Sequence, residues 1–240
     1  MNIRNAVQQL SSLIEDKAHE YVKADWLIWW LSDGQRAVAK RTLCLKNSST
    51  ASGPSVASQG AYSLPTRCIG IDRVYYDGYP IDPITREEMD RTMQDSTDAS
   101  ETSVKAWEDE EGTVERWIYD RHANKIRLVA VPKSAGKEIK ILYSELPEEF
   151  INITATTNIP EFADEAMFLY ALINAQRHIS VKYESDKQLR QAQVWQNHAR
   201  INEAKYEHQI QEIKTMIQGF QNTNIIVQQG VGMEFEEDRY

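Results

Sequence analysis

The sequence predicts an α+β protein. A helical bundle, made of an N-terminal helical hairpin and long C-terminal helices, carries an inserted small β-sheet or sandwich and ends in an extended C-terminal tail. Three observations lead there. Residues 25–45 repeat their apolar positions every three and four residues and hold three of the six tryptophans within five positions. Strand and hairpin signals are confined to one central block. A second long helical stripe closes the folded part. The boundaries are 1–45 for the N-terminal helices, 46–60 for a flexible loop, 61–158 for the β-rich insertion, 159–220 for the C-terminal helices and 221–240 for the tail.

Ile3, Val7, Leu10, Ile14, Ala18 and Tyr21 keep a helical period, with Asn2 as cap, so a helix is expected over 3–21. A hinge at 22–24 leads to the Trp-rich helix, for which Asp25 is the expected N-cap. Leu27, Trp30, Leu31, Gly34, Val38 and Thr42 share one face, and Trp26, Trp29 and Ala37 widen it. A helix apolar over so much of its girth must be covered on more than one side. Gly34 costs roughly 1 kcal/mol relative to Ala inside a helix, and its missing side chain lets another backbone come close. Trp26, Trp30, Leu31, Gly34 and Val38 are therefore expected packing residues.

Residues 46–60 are rich in Ser, Ala, Thr and Gly and read as a mobile loop without the Gly-Lys-Ser/Thr ending of a phosphate loop. Strands follow at 62–65, 68–76 and 79–81, with Asp77-Gly78 as a hairpin turn. Thr85-Arg86-Glu87-Glu88 is a capping box for a short helix to about Met93. Residues 94–112 read as an exposed acidic loop. Strands at 115–120 and 125–131 form a second hairpin, and 138–143 completes the set.

Ile159-Pro160-Glu161 announces a helix to about Ser180, with Phe162, Ala166, Leu169, Tyr170 and Ile173 as its apolar stripe. Phe162, Leu169, Tyr170 and Ile173 join the expected helical core. A second capping box, Ser185-Asp186-Lys187-Gln188, opens the last helix. Its stripe from Leu189 through Ala192, Trp195, Ala199, Tyr206, Ile210, Ile213 and Ile217 to Phe220 is broken by Asn202. Such a helix is roughly 50 Å long, about as long as a compact domain of this size is wide. Residues 221–240 lose the periodicity. Ile225, Ile226 and Val227 form a β-prone run, and Phe235 and Tyr240 stand among acids, so this segment reads as a tail that orders on a partner.

The net charge of −9 argues against a surface built to grip nucleic acid. No apolar run reaches transmembrane length and no signal peptide opens the chain. Cys44 and Cys68 have neither metal-ligand nor disulfide-framework spacing, which fits synthesis in a reducing cytosol. His19, His122, His178, His198 and His208 are scattered, and Glu108-Asp109-Glu110-Glu111 lacks an EF-hand pattern. No nucleophile elbow, Cys/His pairing or dinucleotide fingerprint appears. No catalytic, cofactor-binding or metal-ligating residues are assigned, and no enzyme activity is expected.

The order of short motifs carries a resemblance. Trp26-Leu27, Leu31-Ser32-Asp33-Gly34-Gln35-Arg36-Ala37, Tyr62-Ser63-Leu64-Pro65, Asp77-Gly78, Pro132 and Leu142-Tyr143-Ser144-Glu145-Leu146-Pro147 come first. Ile159-Pro160-Glu161-Phe162-Ala163-Asp164 and Tyr170-Ala171-Leu172 complete it. Over roughly residues 3–187 this resembles the head-to-tail adaptor (connector) proteins of tailed bacteriophages, of the podovirus tail-tubular type. The resemblance implies a structural protein of the virion neck, made in the host cytoplasm and assembled as a ring, commonly a dodecamer. Such a ring lies beneath the portal protein, extends the DNA channel and forms the platform for the tail tube or nozzle. It carries no catalytic residues and binds no membrane, and genomic DNA passes through without sequence-specific binding. The C-terminal segments of such adaptors commonly reach the portal, which makes Ile225, Ile226, Val227, Phe235 and Tyr240 the expected portal-docking residues. Two readings of other classes stand beside it. One is a metal-dependent hydrolase using dispersed carboxylates, which metal-dependent turnover would reveal. The other is a helical assembly chaperone absent from the mature particle, which mass spectrometry of virions would separate.

Overall fold

The computed structural model describes residues 1–50, 53–96, 107–150 and 152–231. Its contacts divide the chain into two units, Met1–Leu45 with Leu146–Tyr240, and Lys46–Glu145. The fold is mixed α+β, with five helices and a curled β-sheet.

Helix α1 spans Ile3–Leu13 and is capped by Asn2, whose Oδ1 accepts from the Arg4 and Asn5 amides at 2.9 and 3.4 Å. The expected helix over 3–21 stops early. Glu15 turns left-handed at φ 58°, its N–H donates to the Ser12 carbonyl, and the Asp16 N–H donates to that of Ser11. This pair of bonds closes a helix C-terminus, a place usually held by glycine. Asp16, only 4% exposed, then accepts from the amides of Glu20, Tyr21 and Val22 at 2.8, 3.0 and 2.7 Å. One carboxylate organises the turn that periodicity alone assigned to helix.

Helix α2 spans Ala24–Thr42. Lys23, not Asp25, holds the cap position, without a side-chain bond, and Asp25 sits in the first turn, near the positive end of the helix. Leu27, Trp30, Leu31, Gly34, Val38 and Thr42 are buried. A side chain at Gly34 would bring its Cβ to 2.9 Å from the Met167 carbonyl oxygen, so the close approach needs glycine.

The second unit contains β1 (Lys46–Thr50), β2 (Ala61–Ser63), β3 (Cys68–Tyr76), β4 (Tyr79–Pro83), α3 (Arg86–Ser96), a 3-10 turn at Trp107–Asp109, β5 (Glu111–Gly112), β6 (Arg116–Asp120), β7 (Lys125–Val129), β8 (Val131–Pro132) and β9 (Ile139–Glu145). Seven strands form one sheet in the order β1-β9-β3-β4-β6-β7-β2, and β5 pairs with β8. Among the described residues the expected small sheet or sandwich is thus a seven-stranded sheet that curls, with the short β5–β8 pair apart from it. Two register shifts between β3 and β9 add twist, and the β4–β6 junction is only two residue pairs long. Both halves contribute to one core, Val74, Ile139 and Ile141 from one side and Trp117, Ile126 and Leu128 from the other.

Three expectations change here. The start of the expected 46–60 loop is strand β1, paired from Lys46↔Ser144 to Thr50↔Lys140. Its residues are polar because main-chain bonds to β9 hold it. The Lys46 ammonium adds bonds to Asp72 and Ser144. The expected exposed stretch 94–112 contains Trp107, which is buried and donates from Nε1 to Asp90 at 2.8 Å. The inserted unit also starts and ends earlier than 61–158, at Lys46 and Glu145. The Thr85 box forms: the Glu88 amide donates to Thr85 Oγ1, and the Glu88 carboxylate accepts from the Thr85 N–H and hydroxyl.

The chain then returns to the first unit. A 3-10 turn at Glu161–Ala163 leads into α4, Asp164–Ser185, and α5 spans Leu189–Val231. The Ser185 box does not form. Lys187 is left-handed at φ 61°, its N–H donates to the Glu184 carbonyl and the Gln188 N–H to that of Tyr183. The four residues thus close α4 rather than open α5, and the Ser185 hydroxyl bonds back to Val181. Helices α4 and α5 form an antiparallel hairpin against α2, with Ala192, Ala199, Tyr206, Ile210 and Ile213 of α5 buried. Asn202, the break in the stripe, donates to Gln176 Oε1 at 3.0 Å. Phe162 and Trp26, expected in the core, are 39% and 41% exposed. Helix α5 also continues through Val231, so residues 221–231 of the expected extended tail are helical. The helical period of its apolar stripe fades before the helix does.

Candidate interaction surfaces

A polar seam runs across α2, α4 and α5. The Tyr170 hydroxyl donates to Asp33 Oδ2 at 2.5 Å, and its ring lies 6.0 Å from that of Tyr206. The Arg41 guanidinium sits 5.3 Å over the Tyr206 ring and donates twice to the Glu207 carboxylate, at 2.7 and 2.6 Å. Arg177 pairs with Glu203 beside it. Burial and the neighbouring Asp33 carboxylate push the Tyr170 phenol up to about 12. The Arg41 bond holds Glu207 below its ordinary value and raises the guanidinium itself. Arg41 and Arg177 each pair with a glutamate and the Asp33 carboxylate is held by the Tyr170 hydroxyl, so the seam acts as a clamp between helices. Tyr170 and Tyr206 were legible as stripe residues. Their link through Asp33 and Arg41, about two turns apart on α2, was not.

Exposed apolar side chains of the helical unit include groups on α2 and on α5. On α2 and α4, Trp26 lies edge-on to His178 at 4.7 Å, and Trp30 packs behind them. Burial, then Lys182, lowers the His178 pKa, so the ring is neutral against the indoles. Trp29 beside them is 62% exposed. On α5, Val194, Ile201 and Met216 are exposed outside the buried stripe.

Of the five residues expected to dock on the portal, Ile225, Ile226 and Val227 lie in the last turns of α5. Phe235 and Tyr240 lie outside the described residues. Among the described residues no three His, Cys, Asp or Glu side chains gather as a metal-holding group. No described helix is long and apolar enough to cross a membrane.

Residues 1–223 match the sequence model of the family described as SU10 adaptor protein. The chain belongs to this family. It is a bacteriophage structural adaptor. No curated protein sequence matches it. The family match runs unbroken through both units of the adaptor, across β1, and into α5 as far as residue 223. It therefore covers the polar seam and both groups of exposed apolar side chains and stops within the last turns of α5. An adaptor works by contact with other head and tail proteins, and the exposed aromatic and aliphatic side chains above are available for such contacts.

Proposed function

We propose that this adaptor is a head-to-tail connector of the virion neck, of the tail-tubular type. Copies of the chain form a ring, commonly of twelve, beneath the portal protein. The ring extends the DNA channel and gives the tail tube or nozzle its platform. The observation that carries the reading is helix α5, 43 residues long, inside the adaptor family. One of its stripes is buried on α2 and α4, while Val194, Ile201 and Met216 are 49%, 56% and 47% exposed. Together with Trp26 and Trp29 these put exposed apolar side chains on two different helices of one unit. Contacts between unlike patches run head to tail, and such contacts form a ring when the rotation between copies closes.

The end of α5, with Ile225, Ile226 and Val227, and the segment bearing Phe235 and Tyr240 are the portal-docking element of this reading. The net charge of −9 supports a channel wall that repels DNA phosphates and binds no sequence. The particle's neck is the site of action, and the host cytoplasm the site of assembly.

Cryo-electron microscopy of the particle neck tests the proposal. The expected map has the chain as a closed ring between portal and tail, with α5 directed to the portal. Virions whose mass spectra lack the chain would instead make it an assembly factor. A ring lumen lined mainly by lysine and arginine would refute the repelling wall.

A further inference from the structure

Helix α5 is longer than the helices that cover it. Its partners on α4 descend as it advances: Ala192 meets Ser180, Asn202 meets Gln176 and Tyr206 meets Tyr170. Helix α4 begins at Asp164, less than two turns before Tyr170, and α2 ends at Thr42, one residue after the Arg41 that holds Glu207. Both therefore run out near the level of Ile213. Ile213 is 1% exposed, but Ile217, one turn on, is only partly buried, and a Cβ added at Gly219 would meet nothing within 4 Å. The helix nevertheless continues through Val231, roughly 27 Å beyond Ile213. With Gly219, Asn222, Thr223 and Gly230 inside it, this stretch does not hold a helix by propensity. Helical stability in such a sequence comes from packing, so the stretch needs a cover that its own bundle does not supply.

The spacing along α5 says what that cover is. After Phe220 the apolar stripe narrows but does not end. Ile210, Ile217, Asn224 and Val231 stand seven apart, and Ile213, Phe220 and Val227 stand three residues after the first three of them. These are the a and d positions of a heptad repeat, with β-branched residues at three of the four a positions, a pattern of two-stranded coils. Asn224 is the fourth. An asparagine at an a position costs stability against an apolar neighbour, and it is satisfied when the same position of another helix supplies a second amide. Charge points the same way. No charged residue lies between Lys214 and Glu234, and the flanking e and g positions hold Met216, Gln221, Thr223, Gln228 and Gly230. A charged partner would find no complement here, while an identical helix on a chain of net charge −9 meets no like charge.

We propose that the end of α5 pairs with the end of α5 of a second copy, as a parallel, in-register coiled coil over residues 213–231. Asn224 of one copy meets Asn224 of the other and fixes the register. Ile225 and Ile226, at b and c, lie away from the pairing line and stay available to a further partner. The pairing involves this chain alone and does not depend on the portal reading.

The test uses the full chain without portal protein. Sedimentation velocity across a dilution series reads the association. Val227→Asp, at d, is expected to weaken it about tenfold or more, and Asn222→Asp, at f, to leave it unchanged. Val231→Cys should give a disulfide-linked dimer on mild oxidation and Asn222→Cys should not, each against the native chain, with its Cys44 and Cys68, as background. Position 231 lies at the far end, so an antiparallel pair would hold the two cysteines apart. All these substitutions lie beyond Ile213, outside the bundle core, and circular dichroism checks that the fold is kept. No link at position 231, equal linking at position 222, or native association of Val227→Asp would overturn the proposal. A chain that is monomeric alone, and whose amides over 217–231 exchange more slowly only with purified portal protein, would give the stripe to the portal and overturn it too. None of these readouts needs the particle, so the pairing and the neck reading fail separately.

Discussion

The Tyr170 hydroxyl donates to the Asp33 carboxylate at 2.5 Å, one residue away from the point where Gly34 lets the Met167 carbonyl approach α2. A charge-assisted bond and a glycine contact thus pin α4 to α2 at one level, and α5 joins them through Tyr206 and Arg41.

Tyr170→Phe keeps the ring and removes the donor. Urea denaturation at neutral pH should show a loss of about 1–2 kcal/mol, the usual range for a hydrogen bond to a charged group. The alkaline limb gives a second signature. The folded phenol titrates at about 12 against an ordinary 10, so the folded state holds its proton longer. The stabilisation is complete below about 10 and is lost as pH rises from 10 towards 12. Tyr170→Phe should flatten this limb, and an unchanged alkaline profile would exclude the linkage.

Gly34→Ala should destabilise. Helix propensity alone favours alanine by about 1 kcal/mol, but overpacking against a carbonyl costs about 1–3 kcal/mol. The new Cβ would lie 2.9 Å from the Met167 oxygen and 3.1 Å from the Tyr170 ring, so either backbone or ring must move. A higher midpoint in urea for the alanine variant would show that the α2–α4 contact is looser than this.

Asp16→Ala should be costly and Asp16→Asn milder. The alanine variant strands three amides around a buried position, a loss of about 2–4 kcal/mol, while asparagine keeps one acceptor oxygen. Thermal melts of the three proteins should rank aspartate above asparagine above alanine.

Arg41→Ala should cost more than Glu207→Ala. Both changes break the same exposed ion pair, worth about 0.2–1 kcal/mol. Only the arginine change also removes the cation from the Tyr206 ring, adding about 0.5–1 kcal/mol. Equal losses in paired denaturation curves would show that the stacking adds nothing.

Deletion of residues 221–240 should lower the helical circular dichroism only by the share of residues 221–231 and leave the rest folded, because the core residues of α5 among the described ones run from Ala192 to Ile213. The truncated chain should fail to enter portal-containing particles. Normal incorporation would move portal docking elsewhere on the protein.

Local signals were legible where they are chemically specific. Asn2 caps α1, the Thr85–Glu88 box starts α3, Cys68–Tyr76 is a strand, and Asp77-Gly78 turns left-handed at φ 52° and 83° into β4. The same signals misled where a competing interaction won. Ser185-Asp186-Lys187-Gln188 has the spacing of an N-terminal box, but α4 uses those residues to close. Strand β1 gave no apolar alternation, because its stabilisation comes from backbone bonds to β9, a partner far along the chain.

By itself the sequence determined the presence of the main helices and of most strands, the apolar faces of α2, α4 and α5, a glycine at position 34 that permits close approach, and the acidic charge of the whole. Those follow from residue type and spacing within one or a few turns. Only the tertiary structure decided the early stop of α1 over Asp16, the clamp from Asp33 to Glu207 and the curl of the sheet. Each of these depends on groups distant along the chain or on a competition between neighbouring backbone bonds, and no local periodicity records either.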